Sequence, residues 1–174
     1  MTFVDELNPK ISIITVTKNS EKFIENNILS VINQTYKNYE HIIIDGNSSD
    51  KTMEIINKYK SKIAIVISEN DNGLYDAINK GIQNASGEII GILHSDDYWH
   101  ENALEIVKQY FANNKSIDFL FGSVIKHKHL YGYHPWRIYW TFNFYTAHSV
   151  GFFIKKKSQL KVGLYNTKYK YSSD

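Results

Sequence analysis

Apolar positions along the chain fall into short blocks, and the stretches between them are amphipathic. Ile11-Ser12-Ile13-Ile14-Thr15-Val16-Thr17 is short and β-branched, which predicts a buried strand. Phe23, Ile24, Ile28, Val31 and Ile32 then recur at helical spacing, with Asn19-Ser20 placed to cap that helix. His41 to Asp45 predicts a second strand. Gly46 to Asp50 reads as a turn and helix start, with Met53, Ile56 and Tyr59 on the inward face. Ile63 to Ile67 is a third strand, Leu74 to Asn84 a third helix closed by Ala85-Ser86-Gly87, and Glu88 to Leu93 a fourth strand. Asn102 to Asn113 predicts a fourth helix with Leu104, Val107 and Phe111 inward. Ile117 to Ile125 and Ser149 to Lys155 predict further strands. Apolar strands alternating with amphipathic helices imply βαβ units: a mostly parallel α/β sheet with helices on both faces. With no repeat, linker or low-complexity tract, residues 1–174 read as one domain.

Charge divides that domain. Residues 1–100 hold 9 Lys against 14 Asp and Glu, whereas residues 101–174 hold 11 Lys and Arg against 4 acids. Aromatic residues split the same way, 8 against 17. An acidic half that holds a ligand is thus followed by a basic, aromatic half that meets something else. The absence of cysteine excludes disulfides, thiolate metal sites and cysteine nucleophiles. No apolar run approaches the roughly 20 residues of a membrane span, and Met1 to Glu6 lacks the basic-then-apolar pattern of a leader peptide.

Three carboxylates stand where parallel strands should end: Asp45 after the second, Asp96 and Asp97 after the fourth. Ligands of open α/β sheets bind in the crevice outside those ends. Asp45 can accept a hydrogen bond from a base or ribose. Asp96 and Asp97 are hard oxygen ligands suited to Mg²⁺ or Mn²⁺, ions that bind through one or two carboxylates plus substrate phosphates. The bland readings are a plain turn at Asp45-Gly46-Asn47-Ser48-Ser49-Asp50 and a helix N-terminus at Asp96-Asp97. Their joint occurrence in register with the βαβ pattern favours a site.

Five ordered segments carry a resemblance. They are Ser12 to Asn19, Gln34 to Glu40, Ile44 to Thr52, Ser68 to Gly81 and the Ser95-Asp96-Asp97 triplet. Together they resemble the family 2 glycosyltransferases of the GT-A fold, in the branch of bacterial polysaccharide and lipid-linked-oligosaccharide enzymes. The resemblance implies an inverting transfer from a nucleotide-diphosphate sugar, with a UDP-sugar expected, to a saccharide or lipid-linked acceptor hydroxyl, assisted by Mn²⁺ or Mg²⁺. It implies that Thr15, Val16, Thr17 and Asn19 line the nucleotide pocket, partly through backbone, and that Asp45 faces the base. Asp71, Asn72, Gly73 and Asn79 would border the nucleotide-sugar site. Asp97 would ligate the metal and Asp96 contact the ribose or the metal shell. Ser95 occupies the place where the family motif has its first acid. Gly163 to Asp174 matches the approach to the family's catalytic base, which puts Asp174 at that position. Family members continue beyond it, so the chain reads as C-terminally truncated, with a nucleotide-binding half of about residues 1–100 and an acceptor-side half of about 101–174.

In the second half Lys126-His127-Lys128-His129 precedes Tyr131 to Tyr145, a stretch with 8 aromatic residues. Aromatic faces stack on sugars, and Tyr and Trp near Lys and Arg also suit a membrane interface. The resemblance places the acceptor side here, with Trp136, Trp140 and His148 as its candidates. The reading extends to a cytoplasmic location with peripheral contact at the inner face of the cell membrane, and to a homodimer; core packing is the bland alternative. Nucleic acid is excluded by the modest charge and the lack of an ordered recognition motif. A non-catalytic sugar-nucleotide-binding module is the main rival reading. A glycoside hydrolase would need no nucleotide pocket. A nucleotidyltransferase would need a glycine-rich loop, which Thr15 to Ser20 lacks.

Overall fold

A computed structural model describes residues 7–122, 124–125, 129–130 and 149–168. The central sheet has six strands: β1 (Ile11–Thr17), β2 (Tyr39–Asp45), β3 (Ile65–Ser68), β4 (Ile89–Ile92), β5 (Phe119–Phe121) and β8 (Phe152–Lys155), in the order β3-β2-β1-β4-β8-β5. β6 (Val124–Ile125) and β7 (His129–Leu130) form a separate antiparallel pair. The helices are α1 (Ile24–Ile32), α2 (Thr52–Lys58), α3 (Leu74–Asn84), α4 (Ala103–Asn113) and α5 (Lys156–Val162).

Period-two alternation builds the layers. Ile14 and Val16 of β1, Ile42 and Ile44 of β2 and Ile90 and Ile92 of β4 face α3, where they pack on Tyr75, Ala77, Ile78 and Ile82. The alternate residues Ile11, Ile13 and Ile89 face α1 and α4 through Val31, Leu104, Val107 and Phe111. Ile43 packs under α1 and α2 with Ile24, Ile28 and Ile56. Helices therefore cover both faces, as expected. Gly81 sits where a side chain would collide with Ile14, so its lack of Cβ sets how closely α3 approaches β1.

Four expectations are revised. Phe23 is 52% exposed: it lies just before the first turn of α1, outside the buried stripe. Asn19 and Ser20 make no side-chain cap to α1; the carbonyl of Ser20 accepts from Phe23 N and Ile24 N instead. The expected strand over Ile117 to Ile125 divides into β5 and β6, and Ser149–Gly151 forms a 3₁₀ turn ahead of β8.

β1 pairs in parallel with β2 and β4, and β2 with β3. β8 inserts between β4 and β5, antiparallel to both. The sheet is mixed and mostly parallel, and β1, β2 and β4 end on one edge. Among the described residues no helix is long and apolar enough to cross a membrane.

Candidate active site at the carboxyl edge of the sheet

In-register pairing of Thr17 with Asp45 brings the ends of β1 and β2 level, and Leu93 N donates to Ile14 O (2.9 Å) just beyond β4. Four loops emerge there: residues 18–23, 46–51, 69–73 and 93–102.

The first two loops are laced together. Asn19 and Asn47 both adopt left-handed backbone (φ 51° and 58°), a conformation asparagine tolerates better than most residues. Asn19 Oδ1 accepts from Ser49 N (2.9 Å), Asn19 N donates to Ser48 Oγ (2.8 Å), and Ser20 N donates to Thr52 Oγ1 (2.7 Å). Asp45 is fully buried. Its carboxylate accepts from Ser48 N (3.0 Å), Ser68 Oγ (2.6 Å) and Ser48 Oγ. Beside it, a side chain at Gly46 would collide with the carboxylate of Asp71, so the glycine is what lets the third loop close over the second.

Asp71 Oδ1 accepts from Gly73 N (3.0 Å), which fixes the turn into α3; Gly73 lies at φ 112°, where a side chain would be strained. Asn72 N donates to Asp76 Oδ2 (3.0 Å) from the first turn of α3. That bond, and Lys80 in α3, hold the Asp76 carboxyl below the usual carboxylate range against the opposing effect of burial. Lys80 reaches both Glu69 (2.8 Å) and Asp76 (3.4 Å). The Asn79 amide is engaged within the chain: it donates to Tyr165 O (2.8 Å) and accepts from Tyr165 N (2.9 Å), while the Tyr165 ring stacks on Tyr75 at 5.5 Å. The segment after α5 is thereby fastened to α3.

The side chains of the first strand also point inward. Val16 lies in the α3-side core and Thr15 is fully buried. Thr17 is 6% exposed, and its hydroxyl has no hydrogen-bond partner among the described residues. Any contact from Thr15 or Val16 to a ligand runs through backbone.

The acids after β4 lie on a tight turn closed by Asp97 N donating to His94 O (3.0 Å). Asp96 is exposed and Asp97 partly buried. Ser95 is buried, and its hydroxyl meets Ser20 Oγ at 2.8 Å, which joins this turn to the first loop. Two carboxylates on one turn suit a hard divalent cation that brings phosphate oxygens with it. Among the described residues no three His, Asp or Glu side chains cluster to hold a metal by themselves. The donor set thus fits an ion completed by its substrate rather than a closed protein cage.

α1 holds this turn in place through polar residues that its sequence pattern does not single out. Asn27 is fully buried and its amide donates to both His94 O (2.8 Å) and Asp97 O (2.9 Å). Ser30 Oγ accepts from Trp99 N (3.3 Å). Just past the helix, Gln34 donates to His100 O (2.7 Å) and accepts from Leu104 N (3.0 Å). One signal could have found them: three uncharged polar side chains at i, i+3 and i+7, beside the apolar stripe. A cleft of about 680 Å³ at the opposite edge, lined by Ser86, Glu88, Lys115, Lys155 and Lys156 among others, lacks the converging strand ends and is not the site. Trp136, Trp140, His148 and Asp174 lie outside the described residues, as do His127 and the side chain of His129.

A mostly parallel sheet with helices on both faces and loops converging at the carboxyl edge is an open α/β arrangement, and the likenesses to solved glycosyltransferases below make it the GT-A fold. The glycosyl transferase family 2 model matches residues 12–165, and the chain belongs to that family. It is 36% identical over 115 residues to the Escherichia coli UDP-Glc:alpha-D-GlcNAc-diphosphoundecaprenol beta-1,3-glucosyltransferase WfgD, covering 65% of this chain and 45% of that protein. S. aureus TarS has the same fold: TM-score 0.76 at 22% identity over 95% of this chain and 32% of TarS. A TarS 1–349 structure in complex with UDP-GlcNAc aligns at 30% identity over 64% of this chain and 33% of that one, TM-score 0.60. The mannosyltransferase PcManGT from Pyrobaculum calidifontis, in complex with GDP-Man and Mn²⁺, gives TM-score 0.70 at 20% identity over 91% of this chain and 48% of its own. The chain spans less than half the length of the curated relatives it matches.

Proposed function

We propose that the chain is the donor-binding part of an inverting, metal-assisted glycosyltransferase that uses a UDP-sugar. The observation that carries this reading is the juxtaposition, on one sheet edge, of the buried Asp45 pocket with the Asp96-Asp97 turn. TarS in complex with UDP-GlcNAc, at 30% identity, supports the nucleotide, and the Mn²⁺ in PcManGT supports the ion.

In this reading Asp45 and its serines meet the base, and the backbone of Thr15 to Asn19 lines the nucleotide. Asp71, Asn72 and Gly73 border the sugar. Asp97 holds Mn²⁺ or Mg²⁺ with Asp96 beside it. The bound cation would neutralise charge on the departing nucleoside diphosphate. Asp174 takes the proton of the acceptor hydroxyl. The basic aromatic half, with Trp136, Trp140 and His148, meets a saccharide or lipid-linked acceptor at the inner face of the cell membrane; WfgD, whose name specifies a diphosphoundecaprenol-linked acceptor, supports the lipid-linked class. Both halves of the chain belong to one GT-A domain.

Thermal shift with UDP, GDP and dTDP, each with and without Mn²⁺, tests the reading. UDP with Mn²⁺ should stabilise most, and Asp97→Ala should abolish the Mn²⁺-dependent increment. An unchanged increment would remove Asp97 from the metal site, and no response to any nucleotide would overturn the donor assignment.

A further inference from the structure

We infer that Asn27, in the middle of α1, is a positioning residue for the acid turn: it sets the geometry in which Asp96 and Asp97 receive the cation and its diphosphate. The inference rests on the donor reading above and gives a role to a residue that makes no contact with solvent.

A four-residue turn carrying two carboxylates has no reason of its own to hold one shape. Its closure includes one backbone bond, Asp97 N to His94 O, and Ser95 ties its middle to Ser20. Asn27 adds two constraints by donating both amide hydrogens, one to His94 O and one to Asp97 O, the carbonyls at the two ends of the turn. An asparagine amide has two N–H donors, and both are committed here. What orients the amide lies deeper. Thr15 Oγ1 donates to Asn27 Oδ1 (3.2 Å) and meets His41 Nε2 at 2.9 Å. The single hydroxyl proton of Thr15 goes to Asn27, so His41 Nε2 carries the hydrogen that donates to Thr15. The ring is then the Nε2–H tautomer, and His41 Nδ1 is left without a partner among the described residues. Thr15, Asn27 and His41 are all fully buried. The row runs from β2 through β1 and α1 to the acid turn. Thr15 fixes which way the amide faces, so a flip would cost both of its bonds to the turn and set its oxygen against the two carbonyls. Buried networks that are satisfied in one arrangement only specify geometry.

A residue that merely supported the fold would lower stability and leave the ligand response of the surviving protein alone. A positioning residue separates two affinities. Calorimetry of UDP binding with and without Mn²⁺ reads that separation in the wild type, Asp97→Ala, Asn27→Ala and Gln34→Leu. Asn27→Ala should bind UDP without metal within about twofold of wild type. It should lose at least tenfold of the Mn²⁺-dependent gain, and the electron paramagnetic resonance lines of bound Mn²⁺ should broaden. Gln34→Leu, which loosens the segment beyond the turn, should lower Tm yet keep the Mn²⁺ gain. The inference falls if Asn27→Ala keeps the full gain while Asp97→Ala loses it, or if Gln34→Leu loses as much as Asn27→Ala. A gain that survives Asp97→Ala overturns the metal reading itself, and the inference with it. Should Asn27→Ala fail to fold, Thr15→Val removes only the hydroxyl that orients the amide. It should lose about threefold or more of the gain, and an undiminished gain would overturn the inference equally.

Discussion

The two ends of β2 each bury a carboxylate, and they hold it in opposite ways. Glu40, near the amino end, is 8% exposed and ion-paired to Lys10 at 2.7 Å. It also accepts from Ser12 Oγ, Ser86 Oγ (2.7 Å), Ser86 N and Gly87 N. Burial alone would raise its pKa, but Lys10, Ser12 and Ser86 outweigh it and hold the carboxyl at about 2. Asp45, at the carboxyl end, is more deeply buried yet takes part in no ion pair among the described residues. Two serine hydroxyls and one N–H suffice. Serine hydroxyls and N–H groups serve both ends; what sets Glu40 apart is the lysine and the second N–H. Without a cation, Asp45 is held by fewer and partly rotatable donors, and this is the end that the proposed donor reading makes receptive.

Breaking the amino end should have the largest effect. Glu40→Ala leaves Ser86 N without its acceptor and Lys10 without its carboxylate, while Gly87 N keeps Ser12 Oγ, and should cost about 3 kcal/mol in urea unfolding, with UDP affinity of the folded fraction unchanged. Because the folded pKa lies below the unfolded 4.5, this stabilisation is complete above about pH 4.5 and fades as pH falls toward 2. The gap to Glu40→Gln should narrow over that window. A gap independent of pH would show that the pair's charge is irrelevant.

His41, the next residue along, sharpens the comparison in a higher pH window. Burial pushes its pKa down from 6.5 to about 3. It is neutral in both states above 6.5, and below that the unfolded chain takes up a proton the folded one refuses. Wild-type stability should therefore fall as pH drops from 6.5. His41→Gln should remove that slope, a relative gain of about 2 kcal/mol by pH 4.5. Parallel stability curves for the two proteins from pH 7 to 4.5 would contradict the burial assignment. The smallest effect belongs to the receptive end. Asp45→Ala should weaken metal-free UDP binding about tenfold, near 1.4 kcal/mol, and unchanged calorimetry would remove Asp45 from the pocket.

Much of this architecture is legible in the sequence. The blocks at Ile11–Thr17 and Leu74–Asn84 announce themselves by period, the expected strand from His41 to Asp45 begins two residues earlier at Tyr39, and acids at strand ends mark the edge where loops converge. The direction of β8 is not legible, because a four-residue apolar strand reads identically in either sense; only its pairing with Gly91 and Phe121 decides it. Asn27 escapes because a polar side chain on an amphipathic helix reads as its solvent face, and Gln34, just past that helix, because the segment it opens does not tell that its amide is buried. Here they are buried by a loop more than 60 residues away in sequence. Asn79 escapes differently: its motif names the residue but not that its amide is engaged by Tyr165.

β8 has one more consequence, for how such a chain can diversify. Phe121 and Phe152 are partners across the sheet, and Gly122 N donates to Gly151 O (2.7 Å). The stretch between them therefore departs and returns at a single doorway. Each doubling of the length between two such posts costs only about 0.6 kcal/mol of closure entropy. The length between these posts can therefore change while the register of the six-stranded sheet, all of whose strands lie outside residues 123–148, stays as it is. On the donor reading proposed above, a lineage could change its acceptor without rebuilding what holds its donor.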